Sequence, residues 1–432
     1  MLTVADLPRF EVDGESFIRP DFAGRGLANV APTVLRLLAP NAPAPDLPPL
    51  DQSVLPAAFT AGVKTVVVVV ADGLGHLQLE REMAAGNAPN LVRLIARAAR
   101  GDDCVNYAPL TSVFPTTTVA ALGSINSSVT PAEHGLLGYT VYLPEFEMVA
   151  EMIRWGPLNR RVSFADSEFG KSPESFFWAE TTYARLHAAG VERTFAVNPN
   201  HFSGTALTRM LHRQATYAGY VSTSSLTPIV ERLVHDSSAP TYVYAYWPTV
   251  DTIAHVVGPL TPEHGSEVAA FDFQFGRLLE ALADRHDTLV MLTADHGHID
   301  TDPADAVQFS EYPELLRMLK ATPAGERRAV YLHPRDGATA EVAAFTRERL
   351  REVAATALRD DLVELGLFGP GPLSERAKGR IGEVLLFPRG ARQMVAPIES
   401  PDGSLPKPPT FRGLHGGLTD DEAIVPLLAV RL

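Results

Sequence analysis

The chain has 432 residues, 46% of them hydrophobic and 20% charged, which is enough apolar material for a large buried core and excludes intrinsic disorder as its default state. Its 37 basic and 51 acidic residues leave a net charge of -14, so no basic field is available for bulk nucleic-acid binding. A small phosphorylated partner is still admissible, because bound dications reverse the local sign of the field.

In chain order, residues 1–60 read as an N-terminal arm that ends in a proline-rich strap at 39–49 (APNAPAPDLPP). The opening stretch has neither a basic segment nor an apolar core of the kind a secretory signal carries. A single cysteine, Cys104, excludes an internal disulfide, and no apolar run is long enough to cross a bilayer. The expected location is therefore the cytoplasm, with no membrane partner and an oligomeric state that the sequence leaves open.

The run Thr65–Ala71 (TVVVVVA) is a continuous β-branched stretch, as in a strand buried on both faces of a parallel sheet. It stops at Asp72-Gly73. A helix is predicted over Asn90–Ala99. Residues 139–200, rich in aromatics and arginine, read as a loop-rich insertion. Helices are predicted over Ser224–Val234 and Val268–Leu282. Strands are predicted at Thr241–Trp247, running into Asp251, and at Thr288–Thr293, running into Asp295. Strands alternating with helices predict a doubly wound α/β core over 61–307. Residues 308–400 read as a smaller α+β cap, with a helix near Pro313–Lys320, a strand at Arg328–Leu332 and a long helix over Ala340–Leu358. A Pro/Gly/Ser stretch at 400–409 leads to a return to the core at 401–432, where Thr419 reads as an N-cap with acids in the next turn.

Seven residues carry the chemistry. Asp72 ends a buried strand, where it is either a ligand or a helix cap. Asp251 and His255 are spaced i, i+4, so on a helix both face one way and can share an ion. Asp295 and His296 follow a strand directly, with Gly297 permitting a sharp bend. His415 sits among glycines. Pro115-Thr116-Thr117-Thr118 precedes a small-residue helix start, where a hydroxyl meets the positive helix end. That spacing alone does not say which threonine acts. Mixed carboxylate and imidazole ligands suit zinc, with manganese as the other option.

Taken together, these residues resemble the alkaline phosphatase superfamily, and most closely its type I phosphodiesterase/nucleotide pyrophosphatase branch. The resemblance spans residues 65–145, 240–300 and 410–432. It implies an alkaline-phosphatase-like sandwich with a largely parallel central β-sheet flanked by helices. It also implies a threonine nucleophile three residues after the proline, hence Thr118. Counting back from Pro131 and His134-Gly135 gives the same position. By resemblance Asp251, His255 and His415 hold one zinc, while Asp72, Asp295, His296 and the Thr118 oxygen hold the other.

The chain departs from the family pattern in three places. Ser127-Ser128 replaces a Thr-Gly. Tyr139 stands where the pyrophosphatases carry a phosphate-binding asparagine. The phosphate-gripping arginine of the monoesterases has no clear match, which leaves Arg154, Arg160 and Arg161 as candidates. His76, His264 and His298 have no assigned role, and His298 is a candidate support to the site. The expected activity is hydrolysis of a phosphoric ester, favouring a diester. The alternatives are a phosphomonoesterase or phosphonate hydrolase on the same scaffold, and a catalytically silent module that binds metal and a phosphorylated ligand.

Overall fold

The β-branched run Thr65–Ala71 is buried at all seven positions and forms the middle of a seven-stranded sheet. The computed structural model describes residues 2–166, 169–399 and 409–432. Across this sheet the strands are ordered Val105–Thr111, Ile424–Arg431, Thr288–Thr293, Thr65–Ala71, Thr241–Trp247, Arg193–Pro199 and Thr216–Tyr220. Ile424–Arg431 runs antiparallel to both neighbours, and every other pairing is parallel. Helices flank the sheet, so the chain has the expected α/β, alkaline-phosphatase-like architecture.

Register explains where the chemistry gathers. Ala71 lies opposite Trp247 and Val70 opposite Thr293. The three strands therefore end together, and Asp72, the turn before Asp251, and Asp295 emerge at one carboxyl edge, the place where α/β sheets bind ligands.

The span 139–200 is more ordered than its composition predicts. Thr140–Leu143, Met148–Glu151 and Gly156–Pro157 form an antiparallel meander, and Arg193–Pro199 is a strand of the central sheet. The meander joins Ala324–Glu326, Ala329–Leu332, Val384–Pro388 and Ala354–Leu358 in a second seven-stranded sheet, antiparallel throughout. The two halves meet at Gly325 opposite Thr140. The cap over the site is thus one sheet assembled from two distant segments.

Two further expectations are corrected. The long helix predicted over 340–358 stops at Arg349, and Ala354–Leu358 pairs with Val384–Pro388. Alanine favours helix, but the edge of a ready sheet outweighs that weak preference. After Thr419 the helix is a single turn, Asp420–Ala423, and Ile424–Arg431 continues as a buried strand. The Pro/Gly/Ser stretch, except Pro409, lies outside the described residues.

The N-terminal arm ties the two sheets together. Its hairpin, Arg9–Val12 with Glu15–Ile18, sets the Phe17 ring 5.1 Å from Phe387 of the cap. Its helix Val30–Leu38 buries Val30 and Val34 in the main core. Leu47 and Leu50 of the strap are buried as well, and Asn29 Nδ2 donates to the Pro48 carbonyl at 2.8 Å.

Candidate metal centre and nucleophile

The turn after Thr65–Ala71 presents Asp72, which is 2% exposed. The buried Tyr246 hydroxyl donates to its Oδ2, leaving Oδ1 aimed into the site. The next residue must be glycine. Gly73 has φ +73°, and a Cβ there would lie 2.4 Å from the His298 ring. Its N–H donates to Asp295 Oδ1 at 3.1 Å, locking two strand ends together.

Asp251 and His255 lie on the helix Thr249–Val257, with His255 Nε2 3.2 Å from Asp251 Oδ1. His298 Nε2 approaches the same oxygen at 3.0 Å, and His415 Nε2 at 3.9 Å. Beside this group, His296 Nε2 stands 3.4 Å from Asp72 Oδ1 and 3.5 Å from Asp295 Oδ2. The His296 and His415 rings stack at 3.7 Å, so the two groups are adjacent.

Each of these imidazoles turns Nδ1 toward a backbone carbonyl: His255 to Gly413, His296 to Gly297, His298 to Gly73 and His415 to Thr116. A carbonyl only accepts, so Nδ1 carries the hydrogen and the Nε2 lone pair is left for a ligand. The geometry therefore yields two clusters that could each hold an ion. One is Asp251, His255, His298 and His415; the other is Asp72, Asp295 and His296.

The buried atoms fit that reading. Asp72 Oδ1, Asp251 Oδ1, Asp295 Oδ2 and His298 Nε2 have no hydrogen-bond partner. Burial, then the neighbouring Asp295 and Asp251 carboxylates, pushes the Asp72 carboxyl well above its usual range. Burial, then His296 and His255, holds His415 well below, as a neutral imidazole of the kind that ligates. Two buried carboxylates and a third, Asp251, that is largely buried are costly without a cation, and dications relieve them. Stripping divalent metal with a chelator is therefore expected to lower Tm by several degrees, with recovery on adding metal back. An unchanged melting curve would show that the clusters hold no ion.

The structure distinguishes the three threonines. Thr116 Oγ1 donates to the Gly417 carbonyl at 2.7 Å and accepts from Gly416 N–H at 2.9 Å, so it fastens the His415 loop. Thr117 is buried at the N-cap position of the helix Thr118–Ile125. Thr118 opens that helix, with Oγ1 3.3 Å from His296 Nε2 and facing a cavity of about 490 Å³.

Over residues 66–418 the chain matches the model of the type I phosphodiesterase / nucleotide pyrophosphatase family. It belongs to that family. The structure is similar to murine ectonucleotide pyrophosphatase / phosphodiesterase 5, solved in an inactive form with AMP, at a TM-score of 0.60 and 14% identity, over 84% of this chain and 87% of that one. The human counterpart gives 0.58 at 16% identity, over 84% and 87%. Phosphonoacetate hydrolase from Sinorhizobium meliloti 1021, in complex with phosphonoacetate, gives 0.58 at 18% identity, over 98% and 93%. No curated protein matches the chain. As a member of the type I phosphodiesterase family it is an enzyme, a hydrolase of phosphoric esters on an alkaline phosphatase scaffold.

Tyr139 lines the cavity, and its backbone N–H donates to Glu326 Oε1 at 2.6 Å. Burial pushes the Glu326 carboxyl up to about 7. Arg154, Arg160 and Arg161 are not brought to the site. Arg154 pairs with Glu151 at 2.9 Å, and the other two are exposed. Arg327 lines the cavity in their place. Sequence reasoning missed Glu326 and Arg327, which lie in the cap and reach the site only through the Gly325–Thr140 pairing. His298 was legible in part. Its i, i+2 spacing from His296 can bring both rings to one side of a turn. The remaining histidines pack elsewhere: His134 against Ser124 at 3.2 Å, His76 against Tyr107 at 3.0 Å, and His264 against Glu82 at 2.7 Å. Among the described residues no helix is long and apolar enough to cross a membrane.

Proposed function

We propose that this enzyme cleaves a phosphodiester with Thr118 as nucleophile and two divalent cations, zinc ahead of manganese. One cation is assigned to Asp251, His255 and His415 with His298 beside them, and the other to Asp72, Asp295, His296 and the Thr118 oxygen. The observation that carries the proposal is the position of Thr118 Oγ1 at a helix N-terminus, 3.3 Å from His296 and open to the cavity.

When bound, the cations supply positive charge that lowers the hydroxyl pKa and offsets charge on the phosphoryl oxygens. The rest falls to the chain. The helix Thr118–Ile125 points its free N–H groups at the incoming phosphate. Thr118 Oγ1 loses its proton to solvent and attacks phosphorus in line as one ester oxygen departs with the bonding pair. A threonine phosphate diester linkage results, and water then cleaves it, returning the hydrogen to Oγ1. Phe309 of the cap and Phe411 of the return line the cavity with apolar rings.

A monoester would present one more negative oxygen and would need a cation to hold it. Among the described cavity residues the sole arginine or lysine is Arg327, and its two terminal nitrogens already donate to Gln393 Oε1 and the Pro409 carbonyl, each at 2.9 Å. That favours a diester. On bis-p-nitrophenyl phosphate against p-nitrophenyl phosphate, the zinc-loaded enzyme is expected to prefer the diester by at least about tenfold in kcat/KM. A monoester preference would replace this reading with a phosphatase. The working division of the chain is an arm at 1–60, a catalytic core at 61–307 whose 140–157 meander joins the cap sheet, a cap at 308–400 and a return at 401–432. An exposed free thiol at Cys104 supports a reducing, cytoplasmic setting.

A further inference from the structure

The family resemblance assigns three ligands to one site, Asp251, His255 and His415, and gives His298 no part in it. The fold nevertheless builds a place for that ring. Ile299 pairs with Leu414 and Asp300 with Gly413 in a two-stranded ladder, whose register sets His298 across from His415. His298 is 1% exposed. Its ring lies between two glycines. A Cβ at Gly73 would stand 2.4 Å from its Cε1, and one at Gly413 would stand 3.2 Å from its Cδ2. Gln78 Nε2 donates to the His298 carbonyl and fixes the backbone there.

The lone pairs decide what the ring is for. His298 Nδ1 donates to the Gly73 carbonyl at 3.2 Å, which leaves Nε2 without a hydrogen. That nitrogen faces Asp251 Oδ1 at 3.0 Å, and neither atom has a hydrogen-bond partner. His255 Nε2 faces the same oxygen at 3.2 Å and His415 Nε2 at 3.9 Å, and their Nδ1 atoms are likewise turned to carbonyls. One proton can bridge one such pair. It cannot serve three nitrogens at once, whereas a cation among them can. The three rings stand almost equidistant, with centroids 5.1, 5.2 and 5.4 Å apart. Tetrahedral zinc, with ligands at about 2.0–2.2 Å, sets its ligand atoms roughly 3.3–3.5 Å from one another. The separations of 3.0, 3.2 and 3.9 Å around Asp251 Oδ1 bracket that range.

The other cluster differs in kind. Asp72, Asp295 and His296 supply three side chains, and Thr118 Oγ1 stands fourth, 3.3 Å from His296 Nε2. Its two carboxylates are already engaged, Asp72 by Tyr246 and Asp295 by the N–H groups of Gly73 and His296. Four fixed ligands, three of them imidazoles, suit zinc better than three plus a neutral hydroxyl. We infer that His298 is a fourth ligand of the Asp251 site, which makes that site a closed, tightly held zinc site and leaves the Asp72 site as the one that exchanges its ion. This rests on the proposed reading of the two clusters as cation sites, and on nothing in the chemistry of Thr118.

The full chain, freed of metal and given one equivalent of zinc, is measured by zinc X-ray absorption, which counts the imidazoles around the ion. Three are expected, and two overturn the inference. Zinc titration against a competing chelator should resolve a tight step and a weaker one. His298→Ala should weaken the tight step by at least about a hundredfold and lower the count to two, whereas a residue that only supports a ligand costs about 10–100-fold and leaves the count unchanged. Asp295→Asn, in the other cluster, should keep the tight step and all three imidazoles. If His298→Ala does not fold, the count on the unaltered chain still decides. Equal affinity for the two equivalents overturns the inference, and so does a tight step that folded His298→Ala leaves untouched. Diester turnover is scored separately. Three imidazoles without turnover would sink the phosphodiesterase reading and leave the ligand assignment standing. Turnover with two imidazoles would do the reverse, and a chain that binds no zinc would remove both.

Discussion

Thr118→Ala is expected to lower kcat on a diester by about three orders of magnitude or more, with metal content unchanged. The hydroxyl is the one atom of the P-x-x-T segment that faces both the cavity and His296. Removing it should leave the helix intact. Thr118 sits in the first turn, where alanine is tolerated, and the cap position belongs to Thr117. Thr118→Ser keeps a hydroxyl and should retain measurable turnover. The decisive comparison is rate against zinc per chain. Activity lost together with zinc would mean that the oxygen mattered as a ligand first. Full activity in Thr118→Ala would end the assignment, and Thr117 would be the next hydroxyl to test.

The largest effect on stability is expected far from the nucleophile. Arg328 and Glu422 are both buried, and Nε and Nη2 of the guanidinium meet the two carboxylate oxygens at 3.2 Å each. The third nitrogen donates to the carbonyls of Pro388, Gly390 and Arg392. Glu422 also accepts from Gly417 N–H at 2.9 Å and Thr419 Oγ1 at 2.7 Å, and its own carbonyl receives Gly297 N–H at 2.9 Å. One ion pair thus joins the cap, the His415 loop and the Asp295-His296-Gly297 turn. Arg328→Ala would strand a buried carboxylate at a cost of about 3–5 kcal/mol. Urea unfolding should show that loss, and Arg328→Met with Glu422→Leu should restore much of it. A loss below about 1 kcal/mol, typical of an exposed pair, would show that solvent reaches Glu422.

Much of this was legible in the sequence where local pattern and tertiary role agree. Thr65–Ala71, Thr241–Trp247 and Thr288–Thr293 are β-branched or aromatic runs long enough to announce buried strands, and the structure forms strands over those same residues. The i, i+4 pair Asp251–His255 falls on a helix as its spacing required. What escaped was set by distant pairing. Val105–Thr111 contains Pro109, and Arg193–Pro199 begins with a charge and ends in Asn198-Pro199, so neither advertises a central strand. Ala354–Leu358 reads as helix until Val384–Pro388 lies beside it. Glu422 looked like a first-turn acid, and only the packing of Arg328 shows it to be a buried counter-ion.

Among the described residues, the strand Ile424–Arg431 lies between Val105–Thr111 and Thr288–Thr293 and pairs with both. During synthesis the Val105–Thr111 ladder with Ile424–Arg431 must therefore wait while some three hundred further residues leave the ribosome, with only Thr111 held meanwhile by its bridge to Gly26. The cap meander at 140–157 waits likewise for Ala324–Glu326. Such long-range closure makes for slow folding and exposes strand edges meanwhile. The yield of folded protein should therefore depend on how well those edges are shielded during synthesis as well as on the stability of the finished enzyme.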